Sequence, residues 1–219
     1  MSETIVKPGT HPAPDLLLDH ATGGLDLPAR VLIAAHVARC ERCKEDLERL
    51  RAPGAGYLRS LDDSGGPSRV LWQRLQAAIA RERPAKEHEG ALAGLGIPLP
   101  GAAWAELGPR RPLEWRSLLA RGIQWASVAS DPSNGAALVA VRAARRSVLP
   151  AHEHTRVELG VILEGGYADH AGDYDLGDFF TYETGTSHRP RMDAQEGCIA
   201  LIRLEAPNRF LGWRGWFFR

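Results

Sequence analysis

The spacing of apolar positions changes once along the chain, near residue 112. Up to residue 83 they recur every three or four residues, the period of a helix with one buried face. Asp15 to Thr22 carries Leu16, Leu17 and Leu18 and stops at Gly23-Gly24. Asp26 reads as an N-cap with Pro28 in the first turn, opening a second helix through Val31, Leu32, Ala35 and Ala38. A third helix is expected from about Cys43 through Leu47 and Leu50, with a break offered by Pro53-Gly54. After Gly65-Gly66-Pro67, Ser68 caps a fourth, whose Leu71, Trp72, Leu75, Ala78 and Ile79 form one stripe. Beyond residue 112 the period shortens toward two. Trp115–Leu118, Ile123–Val128, Ala137–Val141, Leu159–Leu163, Phe179–Tyr182 and Cys198–Leu204 are short apolar runs parted by Gly, Pro, Asp or Asn, the mark of a β-sandwich or barrel.

This pattern divides the chain into a helical domain of about four helices (1–83) and an all-β domain (113–206). Residues 84–112, rich in proline and small residues, read as a linker with little structure of its own. Residues 207–219 form a tail with aromatic and arginine side chains, expected to fold back on the barrel or make a dimer contact.

Composition narrows the function classes. Twenty-seven basic and 27 acidic side chains cancel, which argues against a general nucleic-acid binder, whose affinity comes from neutralising phosphates. No apolar run approaches the ~20 residues of a membrane-spanning helix, and the N-terminal residues lack a signal-peptide layout, so the expected location is the cytoplasm. Three cysteines cannot build a disulfide framework, and Cys40 and Cys43 sit three positions apart. In a reducing compartment that suggests a metal before a bridge.

His36, Cys40 and Cys43 bring three ligands to one helix end. A closed zinc site needs a fourth nitrogen or sulfur ligand. His11, on a proline-flanked segment, is the better candidate, and His20, inside the first helix, the poorer. A redox Cys-x-x-Cys is the weaker alternative, because that motif normally opens a helix after a strand. His11, then His36-x3-Cys40-x2-Cys43, followed by the detached fourth helix, resembles the zinc domain of ChrR-type anti-sigma factors over residues 8–83. The resemblance implies that His11, His36, Cys40 and Cys43 bind one zinc ion. It also implies that the helical domain clasps an extracytoplasmic-function sigma factor, with Leu71, Trp72, Leu75 and Ile79 on the partner; the other reading of that stripe is the domain's own core.

A second cluster lies in the β part. His152, His154 and Glu158 share strand parity, so they face one side, and His188 on a later strand offers a fourth ligand. Three imidazoles and a carboxylate suit Zn, Mn, Fe, Ni or Cu. The spacing His152-x-His154, Glu158, Gly165, then Gly177, Gly185 and His188 resembles the two cupin motifs, with Glu183 and Met192 in place of the second motif's Pro and Asn and Arg146 in place of the first motif's opening Gly. That resemblance implies a cupin barrel over about 113–206, with zinc as the first expectation for its divalent metal.

Together the two resemblances imply a regulator and not an enzyme: an anti-sigma factor whose helical zinc domain holds the sigma factor and whose cupin senses an oxidative signal. A homodimer through the cupin is a further partner they allow. The alternative is a metal-dependent cupin dioxygenase or isomerase with an accessory zinc domain. Cys198 reads as a buried inert thiol, and His170 as a solvated residue of a hairpin loop.

Overall fold

The computed structural model describes residues 10–60, 68–81, 97–108, 112–118 and 120–211; for 55–60, Leu75 and 78–81 it describes only the backbone. The helical part contains α1 (Pro14–Thr22), α2 (Leu27–Val37), α3 (Glu41–Ser60) and α4 (Arg69–Arg81). α1 ends on Gly23 in the left-handed conformation (φ 80°), whose N–H bonds Asp19 O. α2 begins where its cap was expected, with the Asp26 carboxylate accepting from Ala29 N at 2.9 Å. α3 starts earlier than Cys43 and runs on through Pro53, so Pro53-Gly54 is not a break.

The six apolar runs expected as strands all form, and they form one antiparallel sheet. Its members are β1 (Arg116–Ser117), β2 (Ile123–Ser130), β3 (Ala137–Ala143), β5 (Glu158–Gly165), β8 (Phe179–Tyr182) and β11 (Cys198–Leu204), in the order β1-β2-β3-β11-β5-β8. Two three-stranded sheets complete the barrel. One joins β6 (Tyr167–Asp169), β7 (Gly172–Tyr174) and β10 (Arg191–Met192). The other joins β4 (His152–Glu153), β9 (Ser187–His188) and β12 (Arg209–Phe210). β12 comes from the segment read as tail; residues 212–219 lie outside the described residues.

The linker expectation needs correction over 97–108. Ile97, Leu99, Ala103, Trp104 and Leu107 are buried, and Gly101–Leu107 is a helix, α5, that packs on α2. Pro100 precedes that helix in an extended conformation (φ −60°, ψ 149°), a position where its missing N–H costs nothing. The prolines here start an element instead of dissolving one, and the apolar spacing 97, 99, 103, 104, 107 was the signal that composition hid.

Nor is the boundary between the two parts a break in packing. Leu32, Ile33 and Ala35 of α2, Trp104 of α5, and Leu138, Val161 and Leu201 of the sheet belong to one buried cluster. α2 therefore lies across the outer face of the sheet. Its N-terminal end is pinned by Arg203 of β11, which holds the Asp26 carboxylate through Nε (2.9 Å) and Nη2, by Asn134 to Asp26 (2.8 Å), and by Leu27 N donating to Asp131 (3.0 Å). No helix among the described residues is long and apolar enough to cross a membrane.

Candidate metal centres

α2 and α3 build the first centre with the segment before α1. α2 ends at Val37 with its last turn carrying His36, Cys40 lies in the short connection, and Cys43 is in the first turn of α3. His11 reaches in from ahead of α1; His20 does not, being buried in α1 with Nδ1 unpartnered among the described residues. His36 Nε2 lies 3.3 Å from Cys43 Sγ and 3.4 Å from His11 Nδ1, and His11 Nδ1 lies 3.4 Å from each sulfur. Zinc bonds of about 2.3 Å to sulfur and 2.0–2.1 Å to nitrogen give tetrahedral edges of about 3.3–3.8 Å. These four edges fit that figure, and all four donor atoms lie within 4.8 Å of one another.

The state of His36 is fixed from outside its own domain. Its Nδ1 donates to the carbonyl oxygen of Gly177 in the barrel at 2.7 Å, which leaves the Nε2 lone pair facing the sulfurs. Gly177 sits at φ 91°, a left-handed turn that glycine adopts without strain. The same turn is tied down by Phe179 N donating to Thr10 O (3.0 Å), one residue before His11. Burial, with the neighbouring Cys40 thiol, pushes the Cys43 thiol up to about 12. By itself that thiol stays protonated, and a divalent cation is the partner that would take the place of its proton.

The second centre lies inside the barrel. His152 and His154 project from β4 and the residue after it, and His188 from β9, paired directly opposite His152. Their three donor nitrogens lie within 4.8 Å of one another. His152 Nε2 and His188 Nε2 are 2.9 Å apart. Each ring spends its other nitrogen on an acceptor. His152 Nδ1 donates to Pro150 O (3.0 Å) and His188 Nδ1 to Asp169 Oδ2 (2.7 Å). His154 Nδ1 donates to Thr186 Oγ1 (2.9 Å), whose own proton goes to Glu183 O. Three Nε2 lone pairs therefore converge, and His154 Nε2 is buried with no hydrogen-bond partner among the described residues. Burial drives His152 down to about 4 and His154 to about 3, each further lowered by the His188 charge, so both are neutral ligands at pH 7. An unpaired buried lone pair costs free energy unless a cation meets it. The donor set fits a divalent metal.

Glu158 stands at the edge of this group, Oε1 3.9 Å from His154 Nε2 and Oε2 accepting from Asn208. Burial pushes its carboxyl up to about 7. Phe180 approaches the same strand at Gly160, where a Cβ would lie 2.1 Å from the ring, so only glycine admits it there.

Two residues that sequence reasoning passed over complete the site. Asp169 accepts from His188, from Tyr182 Oη (2.8 Å) and, through Oδ1, from Ala171 N (2.7 Å). Burial alone would raise its carboxyl, but these donors hold it at about 2, a permanent anion behind His188. Tyr182 stacks on His154 with ring centroids 4.6 Å apart. The available signal was Asp169 itself, next to the hairpin histidine His170, but its partner is 19 residues away in sequence.

Of the residues expected at a partner surface, Leu71 and Trp72 are exposed (54% and 50%), beside an exposed Val70. The side chains of Leu75 and Ile79 lie outside the described residues. Cys198 is buried, and burial pushes its thiol up to about 12, in keeping with an inert role.

Residues 109–207 match the ChrR cupin-like domain family. The whole chain is similar to the anti-sigma-E factor ChrR of Cereibacter sphaeroides, with 25% identity over 205 residues, 91% of each chain. It also superimposes on a crystal structure of Rhodobacter sphaeroides SigE in complex with the anti-sigma ChrR, with a TM-score of 0.66 at 21% identity, covering 89% of this chain and 97% of that one. The fold, helices before the barrel included, is that of this complex's chain.

Proposed function

We propose that the protein is an anti-sigma factor of the ChrR type, a regulator that sequesters an extracytoplasmic-function sigma factor in the cytoplasm through its helical part and releases it when the barrel registers an oxidative signal. The observation that carries this reading is likeness to ChrR over 91% of both chains, which spans the helices and the barrel alike. His11, His36, Cys40 and Cys43 hold zinc. Bound there, zinc crosslinks the segment before α1, the end of α2 and the start of α3. His152, His154, His188 and Glu158 hold a second divalent metal, zinc in the first instance.

The partner surface is α4, with Leu71 and Trp72 exposed on it and Leu75 and Ile79 on the same stripe. The path from barrel to helices starts at β8. Its Tyr182 end stacks on His154, and the turn before it presents Gly177 O to His36. A displacement of that strand by events at the barrel cluster moves the acceptor that orients a zinc ligand. Division of labour follows: residues 1–108 hold the sigma factor, and residues 112–211 govern release.

The test is co-expression with candidate sigma factors, followed by co-purification and transcription from a sigma-dependent promoter. Substitutions at Cys40 should abolish repression. Substitutions at His152 or His188 should preserve repression and abolish the response. Repression unaffected by loss of the helical part would overturn the assignment.

A further inference from the structure

The chain after β11 runs back across the barrel with a period of two. Glu205, Pro207, Arg209 and Leu211 are exposed, while Ala206, Asn208 and Phe210 between them are half-buried. Pro207, Asn208 and Phe210 form part of the wall of a cavity of about 470 Å³ that His152, Glu158 and His188 line from within. Asn208 Nδ2 donates to Glu158 Oε2, and the Phe210 ring lies 5.7 Å from that of His152. Beneath them the centre is closed to solvent, with His152 only 2% and Glu158 3% exposed.

What holds this segment down is slight. Thr155 Oγ1 donates to Pro207 O (2.9 Å), Leu211 N to Ala151 O (2.7 Å), and Arg209 pairs with Glu153 at the surface. No side chain of 205–211 belongs to either buried core. Segments with so few buried apolar contacts open locally at a small fraction of the cost of global unfolding. β12 is also the outer strand of its sheet, so it can lift while β4 and β9 stay paired and His152 stays opposite His188. From these contacts we infer that residues 205–211 are a movable strap over the barrel centre and that Asn208 is a positioning residue for Glu158. Closed, the strap excludes solvent and holds Glu158 Oε2, so Oε1 is the oxygen turned to His154, 3.9 Å away. Lifted, it bares the histidines to small polar solutes and frees the carboxylate to turn. The inference rests on the proposal that the barrel holds a divalent metal, and needs nothing of the sigma factor.

The experiment uses the full-length chain loaded with cobalt(II), whose thiolate absorption marks the helical centre and leaves the remaining cobalt to the barrel. Loss of that cobalt to excess EDTA reports access to the centre, and deuterium exchange at the Leu211 amide reports opening without reference to metal. Arg209→Glu sets like charges across the strands and should speed both about fivefold. Combining it with Glu153→Arg swaps the charges and should return both to the parent rates. Asn208→Ala should change the visible bands of the barrel cobalt, whereas Arg209→Glu should leave them as in the parent. A chain ending at Ala206 decides if the ion pair proves too weak to matter. Its barrel cobalt should leave at least about tenfold faster, with the loss of helical cobalt and the circular dichroism unchanged. Barrel loss at the parent rate in that chain, or faster Leu211 exchange without faster metal loss in Arg209→Glu, would overturn the strap. Unchanged bands in Asn208→Ala would overturn the positioning role. Uptake of cobalt by the helical centre alone would overturn the metal reading and this inference with it.

Discussion

The Nδ1 of His36 lies 2.7 Å from the carbonyl oxygen of Gly177, so a ligand of the helical centre takes its orientation from the barrel. The relationship is one-sided. The imidazole has an alternative in water, but only the carbonyl fixes which nitrogen carries the proton and which faces Cys43. Partners of this kind are worth about 10–100-fold in metal affinity where they have been removed. The two halves are thus one thermodynamic unit at this point, and anything that shifts the turn at Gly177 alters the helical centre without touching its ligands.

A truncated chain tests this directly. Residues 1–108 keep α5 and its Trp104 on α2, and should bind one zinc about 10–100-fold more weakly than the full chain. Residues 1–83 lose α5 as well and should be markedly less helical without metal. Competition against a chromophoric chelator and circular dichroism give the two readings. Equal zinc affinity in the full chain and in 1–108 would show that the Gly177 contact carries no energy.

The Asp26–Arg203 pair clamps the other end of α2, with side chains only 7% and 10% exposed. Arg203→Met leaves the Asp26 carboxylate buried with Asn134 and Ala29 N as its remaining donors. Breaking such a pair on one side costs about 3–5 kcal/mol, and those donors bring the expected loss toward about 3 kcal/mol in denaturant unfolding. Burial would raise the Asp26 carboxyl, but Arg203, Ala29 N and Asn134 together hold it below its ordinary value. Its stabilisation is therefore complete above the ordinary carboxylate range and disappears as pH falls through the lower, folded value. Arg203→Met should flatten that part of the acid limb, and an unchanged limb would assign acid sensitivity elsewhere.

What the sequence made legible follows from range of interaction. Five strands of the main sheet are four to eight residues long with apolar side chains on a regular face, and β1, only Arg116–Ser117, lies inside the apolar run Trp115–Leu118, so their pattern is local. The other six strands are two or three residues long, too short for a period of two to register in their apolar positions, and those carrying His152 and His188 show in the sequence only through the histidines. His36, Cys40 and Cys43 announce themselves by spacing, as do His152 and His154. Asp169 and Gly177 do not, because their roles exist only once β6 lies beside β9 and the β7–β8 turn beside α2. α5 was concealed by its prolines, which sit before the helix and not within it.

Asp169→Asn should expose the difference between ligands and their supports. The substitution keeps the shape but removes the anion that accepts from His188 Nδ1 and Tyr182 Oη. Metal affinity in the barrel should fall about 10–100-fold, while the His11, His36, Cys40, Cys43 centre keeps its own. Metal stoichiometry under graded chelator, with Tyr182→Phe as a milder comparison, reads this out. Equal loss at both centres would mean that Asp169 supports the whole fold and not the barrel site.

The exposed stripe on α4 supplies the last test. Leu71 and Trp72 are about half exposed in the free chain, so replacing them removes little of its own packing. At an interface the same side chains would be anchors, where truncation of a tryptophan commonly costs about 2 kcal/mol or more, near thirtyfold in affinity. Leu71→Ala with Trp72→Ala should release the sigma factor while helical content, metal content and thermal midpoint stay close to those of the parent chain. Surface plasmon resonance against the immobilised sigma factor measures the first and calorimetry the last. A fall in thermal midpoint with binding retained would return the stripe to the protein's own core. Unchanged binding and unchanged stability would place the partner on another face of the helical part.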